Sequence, residues 1–175
     1  IKTKTKLGPI SLFKDDKLVY FATESESRGI NIITNQIDEM IVEYKCDNGH
    51  VVVNLTGMKT NIKVSFKDKK PHASITVNSD GAIQELTCDK NIQKNEVILQ
   101  IEKSIEKKVK KKIKHAVETT QKYNVDPFGI GNLFYKNYPT YFKKIEDWHE
   151  IYKDVTFEYK VNLNLNTKGS VEKTI

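Results

Sequence analysis

The chain is short of several things. Among its 175 residues there is one arginine, Arg28, against 28 lysines, since lysine and arginine together number 29. Base edges and phosphates are read best by arginine's planar fork, so the net charge of +6 is not read as a nucleic-acid surface. Only two cysteines are present, Cys46 and Cys88, and no Cys-x-x-Cys, which excludes a disulfide-dense scaffold. Both follow apolar neighbours on strand-like segments. They read as buried free thiols, or as a cross-strand disulfide if the compartment is oxidising. No apolar run approaches the ~18 residues that a bilayer-spanning helix needs. The basic start, Ile1-Lys2-Thr3-Lys4-Thr5-Lys6, has no apolar stretch behind it and does not read as a signal peptide.

Catalytic patterns are missing as well. His50, His72, His115 and His149 share no ligand-like spacing, and there is no phosphate-cradling loop. Gly129-Ile130-Gly131 is a fragment of a glycine-rich motif that does not follow a strand. The reading is therefore of no enzyme, no cofactor and no metal. With 38% hydrophobic and 30% charged residues the chain should fold as one globular domain, residues 1–175. Residues 1–8 are expected to be flexible, and the chain reads as a piece of a longer protein.

What is present is a sequence of periodic segments. Residues 9–22 read as a hairpin around Lys14–Lys17. Thr23 and Glu26 form a capping box that starts a short helix, with Ile30, Ile33 and Ile37 on one face. Gly29 either weakens that helix or lets it pack closely. From about Asp38 to Cys88 the pattern turns to strands. Turns are expected at Asp47-Asn48-Gly49, Lys67–Pro71 and Asn78-Ser79-Asp80-Gly81, with a bulge or break at Gly57, which implies an antiparallel meander.

A long helix follows over Lys94–Tyr123, with Ile98, Ile101, Ile105, Val109, Ile113, Ala116 and Val117 as its apolar stripe. Its lysines are either a solvated face or a contact for anionic lipid; Lys103, Lys107, Lys110, Lys111 and Lys114 are the lipid-facing candidates. Asp126-Pro127 stops this helix, Gly129 and Gly131 turn a corner, and Pro139 opens a further helix over Thr140–Tyr152. Phe142, Ile145, Trp148 and Tyr152 give that helix a face to bury, so Trp148 reads as core rather than interface. Val155–Leu165 alternates strictly as a strand. Lys168-Gly169 should turn the chain into a returning strand at Ser170–Ile175. The fold class is α+β, a mostly antiparallel sheet with one long lysine-rich helix and shorter helices packed on it.

Taken in order, these segments resemble the C-terminal domain of the Ger(x)C family, the lipoprotein C subunits of bacterial spore germinant receptors. Leu12-Phe13-Lys14-Asp15-Asp16-Lys17-Leu18-Val19 looks like the family's hairpin. Glu26, Arg28 and Gly29 match its Glu-Ser/Thr-Arg-Gly helix, and Glu85 falls where the family tends to carry a glutamate. Asp126, Gly129, Gly131, Pro139 and Trp148 match its Asp…Gly…Gly…Pro…Trp region. Tyr20-Phe21 stands where the family often has tryptophan and leucine, and Lys136-Asn137 where arginine often precedes the proline.

The resemblance implies a non-enzymatic accessory subunit acting in receptor assembly and germination signalling. It would sit at the outer face of the spore inner membrane, held by an N-terminal lipid anchor outside this stretch, with the A and B subunits as partners. Glu26 and Arg28 are the candidate partner surface, against the plainer reading of a cap and a local ion pair. The alternatives are a peripheral domain that binds anionic membranes and a module that binds a small germinant.

Overall fold

The computed structural model describes residues 9–46, 48–89 and 91–166. The expected flexibility of residues 1–8, the turn at Lys168-Gly169 and the returning strand at Ser170–Ile175 lie outside them.

The chain opens with a hairpin of β1 (Ser11–Lys14) and β2 (Lys17–Phe21), paired antiparallel. Helix α1 (Glu24–Ile33) starts at the expected capping box: the Thr23 side chain accepts from the Glu26 N–H, and the Glu26 carboxylate accepts from the Thr23 N–H. Strands β3 (Met40–Cys46), β4 (Gly49–Lys67) and β5 (Lys70–Leu86) follow. Helix α2 (Asn95–Lys122) comes next, then short helices α3 (Ile130–Asn137), α4 (Pro139–Phe142) and α5 (Trp148–Tyr152), and strand β6 (Thr156–Asn166).

The sheet order is β3-β4-β5-β6. The first three strands pair antiparallel, as the meander predicts, but β6 runs parallel to β5. A parallel neighbour needs a crossover, and helices α2 to α5 supply it. Two strands are longer than their sequence suggests. Strand β4 continues through Gly57, where φ of +60° and a register shift between Thr56 and Lys59 mark a bulge rather than a break. No turn forms at Asn78–Gly81. Strand β5 runs straight through it because the polar side chains find partners across the sheet, Asn78 with Asn162 at 2.7 Å and Asp80 with Asn164 at 2.9 Å.

Helix α2 has 28 residues and is about 42 Å long at 1.5 Å per residue. Its stripe of Ile101, Ile105, Val109, Ile113, Ala116 and Val117 is buried against Val51, Val53, Leu55 and Val77 of the sheet. Lysines three or four apart on the same helix repel by only about 0.2–0.5 kcal/mol per pair. Burying each large aliphatic side chain contributes about 1.5–3 kcal/mol, so packing decides that this segment is helical. A second cluster, Ala73, Ile130, Phe134, Tyr152 and Val155, fills the other end of the sheet beneath an aromatic layer that includes Phe66, Tyr141 and Trp148.

The region after α2 departs from expectation. Residues following Gly129 form α3, which the glycine pair conceals. The helix expected over Thr140–Tyr152 is two short pieces, because Asp147 adopts an extended conformation and caps α5 by accepting from the His149 N–H at 2.8 Å. Cys46 and Cys88 are joined as a disulfide with Cα atoms 6.2 Å apart, the second of the two readings above.

Candidate functional site

Three groups of residues singled out by sequence lie in three different places. The first is around α1. Glu26 is 4% exposed. Its carboxylate accepts from the Thr23 N–H at 2.7 Å, the Thr23 hydroxyl at 2.8 Å, the Tyr20 hydroxyl at 3.1 Å and the Thr119 hydroxyl at 2.7 Å. Burial would raise its pKa, but the hydrogen bonds from Thr119, Thr23 and Tyr20 outweigh it and hold the group at about 2. Glu26 therefore ties the hairpin, α1 and α2 together and offers almost no surface, which corrects its place in the candidate partner surface. Arg28 is on the surface, where its guanidinium pairs with Glu24 at 2.7 Å. Gly29 sits where α1 meets α2: a Cβ there would lie 2.5 Å from the Lys112 carbonyl oxygen and 2.7 Å from the Ala116 Cβ.

The second group is the corner after α2. Asp126 accepts from the N–H groups of Ile130 at 3.1 Å and Gly131 at 2.7 Å, and from the Trp148 indole at 2.9 Å. Gly129 holds φ of +69° at the start of α3, a left-handed conformation that a Cβ disfavours. A Cβ on Gly131 would lie 2.6 Å from the Trp148 ring nitrogen. Pro139 takes the first position of α4, and Trp148 packs on Phe134 and Phe142 with ring centroids 5.5 and 5.7 Å away. Asp126, Gly129, Gly131 and Trp148 thus form one structural joint. Glu85 stands apart at the far end of β5, exposed and 3.2 Å from the His50 ring.

The third group is the outer face of α2. Lys103, Lys107, Lys110, Lys111 and Lys114 are all exposed. Lys103, Lys107, Lys110 and Lys114 recur at steps of four, three and four, so they line one stripe. Lys114 pairs with Glu118 at 3.6 Å. This stripe is a row of exposed lysines, whereas the other two groups are devoted to holding elements together.

Several working residues carry no local signal in the sequence. Gln121 donates to the carbonyls of Tyr152, Lys153 and Val155, fastening α2 to the segment before β6. Glu102 and Glu106 accept from the β6 N–H groups of Leu165 at 2.8 Å and Leu163 at 3.0 Å. Tyr20 stacks on Tyr123 with centroids 4.3 Å apart. Each contact joins residues far apart in sequence, so only Glu102 and Glu106 hint at a shared role through their four-residue spacing. Among the described residues no group of three or more His, Cys, Asp or Glu side chains could hold a metal, and no helix is long and apolar enough to cross a membrane.

Comparison with known proteins finds relatives of this chain. The family described as spore germination B3/GerAC like, C-terminal, matches residues 9–169. Spore germination protein KC of Bacillus subtilis (strain 168) is 25% identical over 138 residues, which is 77% of this chain and 34% of that protein. Spore germination protein GerQC of Bacillus cereus is 23% identical over 172 residues, 95% of this chain and 47% of that protein. The chain thus spans half or less of the length of these relatives. The crystal structure of the GerBC protein superposes with a TM-score of 0.80 at 22% identity, covering 94% of this chain and 53% of that one, a likeness of fold alone.

Proposed function

We propose that this chain, which belongs to the family of spore germination B3/GerAC-like C-terminal domains, is a non-enzymatic assembly module of a germinant receptor's C subunit. It works at the outer face of the spore inner membrane, in a protein held there by a lipid anchor, beside the A and B subunits. The observation that carries the reading is the family match over residues 9–169. The fate of the family's motif residues supports it. Asp126, Gly129, Gly131 and Trp148 close a joint, and Glu26 and Gly29 bind α1 to its neighbours, so these side chains shape a scaffold rather than meet a substrate. What the scaffold displays is the α2 lysine stripe.

The test is co-purification of the tagged chain with the A and B subunits of its own receptor. Wild type should capture at least one subunit. A variant with Lys103, Lys107, Lys110 and Lys114 all changed to Glu, checked for folding by circular dichroism, should lose it. No capture by folded wild type would sink the assembly reading.

The same stripe favours a second role, contact with anionic lipid. Lysines near such a surface contribute about 1 kcal/mol each, and four on one helix face can reach a plane together. Sedimentation with vesicles containing phosphatidylglycerol should then show binding that weakens with salt and disappears in the four-lysine variant. Binding that ignores salt, or its absence at low salt, would reject this role.

A further inference from the structure

We propose that the groove between β3 and α2 receives an extended, carboxylate-rich peptide segment, which adds to the sheet as a strand on the free edge of β3. The inference goes beyond the receptor-subunit reading and stands on strand geometry and charge alone.

The edge comes first. Among the described residues, strand β3 ends the four-stranded sheet, with β4 on one side only. Its backbone register is fixed at both ends. The Asp38 carbonyl accepts from the Met58 N–H at 3.2 Å, so the even-numbered residues turn toward β4. At the other end Lys45 stands opposite His50, and His50 spends its N–H on the Thr87 hydroxyl at 2.9 Å and its carbonyl on the Thr87 N–H at 3.0 Å. Lys45 and His50 are therefore a non-bonded pair of the antiparallel ladder. It follows that Ile41, Glu43 and Lys45 aim their N–H and C=O groups away from β4. The Glu43 carbonyl confirms this, because the Lys108 ammonium donates to it.

The two edges of the sheet are finished differently. Helix α2 supplies β6 with carboxylates: Glu106 and Glu102 take the outward N–H groups of Leu163 and Leu165. To β3 it offers a lysine, which can satisfy a carbonyl but not an N–H. The outward N–H groups of Ile41, Glu43 and Lys45 thus meet no carboxylate from the helix, whose side toward this edge carries lysines with Ser104 and His115, and they have no partner among the described residues. What they need is a row of carbonyl oxygens, which an added strand provides.

The groove beside this edge has room and sign. A cavity of about 470 Å³ is bounded by Ile41 and Glu43 of β3, Arg28 of α1, and Lys108, Lys111 and Lys112 of α2. It runs on into a second of about 350 Å³ at Tyr44 and Ser104, which shares Lys108 and Lys111. None of Lys108, Lys111 and Lys112 has a carboxylate partner among the described residues. Among the described residues, Glu43 is the one acidic residue bordering either cavity.

Strand pleating then sets the ligand's pattern. Residues of the added strand beside Val42 and Tyr44 point toward α2 and its lysines, and these positions call for aspartate or glutamate. Residues beside Ile41, which is 67% exposed, point to the outer sheet face and favour an apolar side chain. On binding, the Lys108 ammonium leaves the Glu43 carbonyl for a ligand carboxylate, and a ligand N–H takes its place, so no group is left unpaired. A phospholipid headgroup would engage the lysines but cannot set acceptors opposite three N–H groups spaced two residues apart along a strand, which is why the geometry favours a peptide.

The test uses the full chain and a fluorescent synthetic peptide that alternates glutamate with valine, read by anisotropy at physiological salt. A peptide of the same composition interrupted by a central proline is the backbone control. Ile41→Pro is the protein control, since its ring would replace an N–H that the β3–β4 ladder does not use. The alternating peptide should bind. Ile41→Pro, the triple variant Lys108→Ala, Lys111→Ala, Lys112→Ala, and the proline peptide should each weaken binding about tenfold or more. Independently of any variant, amide exchange at Ile41, Glu43 and Lys45 should slow when the alternating peptide is added. Equal binding of both peptides with unchanged exchange would reduce the groove to a polyanion site and overturn the proposal. So would no binding, or displacement of the peptide by phosphatidylglycerol vesicles without protection of these amides. Because the peptide is synthetic, failure would leave the receptor-subunit reading standing.

Discussion

The indole N–H of Trp148 donates to Asp126 Oδ2 at 2.9 Å, and the N–H of Gly131 reaches the same oxygen at 2.7 Å. One carboxylate therefore fixes the start of α3 and the start of α5 together, and the missing Cβ of Gly131 is what lets the indole come so close. Trp148→Phe keeps the ring stack on Phe134 and Phe142 but removes the donor. A hydrogen bond to a charged group is worth about 1.5–3 kcal/mol, so this variant should lose about that much stability. Asp126→Ala should lose more, since it strands two backbone N–H groups as well as the indole. Urea unfolding followed by circular dichroism checks the order; equal losses in the two variants would show that the aromatic packing, not the carboxylate, holds the joint.

Gly29 and Gly57 make a contrasting pair. In an open helix, alanine for glycine would stabilise by about 1 kcal/mol. At Gly29 the new methyl would press on the Lys112 carbonyl and on Ala116, both in the body of α2, so the two helices must separate. Overpacking of this kind costs about 1–3 kcal/mol, and Gly29→Ala should be destabilising on balance. At Gly57 nothing lies within 4 Å of the added atom, but φ is +60°. There the cost is backbone strain alone, about 1 kcal/mol. Thermal melts of the two variants separate the mechanisms: Ala116→Gly should recover only part of the loss in Gly29→Ala, because the Lys112 carbonyl stays in place, and should leave Gly57→Ala without any recovery.

The sequence was legible where one residue's neighbours in the chain decide its fate. The capping box at Thr23 and Glu26, the stripe from Ile101 to Val117 and the alternation in β6 all have local causes, and all stand as expected. It was illegible where distant residues decide. Asn78-Ser79-Asp80-Gly81 has turn composition, yet its partners Asn162 and Asn164 on β6 keep it extended. Likewise, Glu26 and Arg28 share a motif, but only Thr119 and Tyr20, which close over Glu26, reveal that it is internal. The parallel placement of β6 belongs to the same class, being set by the crossover through α2 to α5.

The disulfide between Cys46 and Cys88 closes a span of 42 residues from the end of β3 to just beyond β5. On the chain-entropy account, a loop of that length stabilises the folded state by about 3–4 kcal/mol. The paired variant Cys46→Ser, Cys88→Ser should therefore unfold at clearly lower urea concentration than wild type. Reductant should move wild type toward the variant and leave the variant where it is. A variant as stable as the oxidised protein would mean that the strand ladder already restrains the unfolded chain at this end.

Glu26 makes stability depend on acid. Its folded pKa of about 2 lies below the ordinary value of 4.5, because Thr119, Thr23 and Tyr20 all donate to the ionised form against the opposing effect of burial. A depressed carboxylate contributes its full share above its unfolded pKa and loses it as pH falls toward the folded one. The contribution is on the order of 2–3 kcal/mol, present above about pH 4.5 and lost toward pH 2. Glu26→Gln cannot ionise, so it should be less stable than wild type at pH 7. The gap between the two should narrow steadily between pH 5 and pH 2.5 as wild type takes up its proton. Urea unfolding of both proteins across that range is the measurement. A gap that stays constant with pH would show that shape and hydrogen-bond count, rather than the buried charge, explain why a carboxylate stands at the meeting point of the hairpin, α1 and α2.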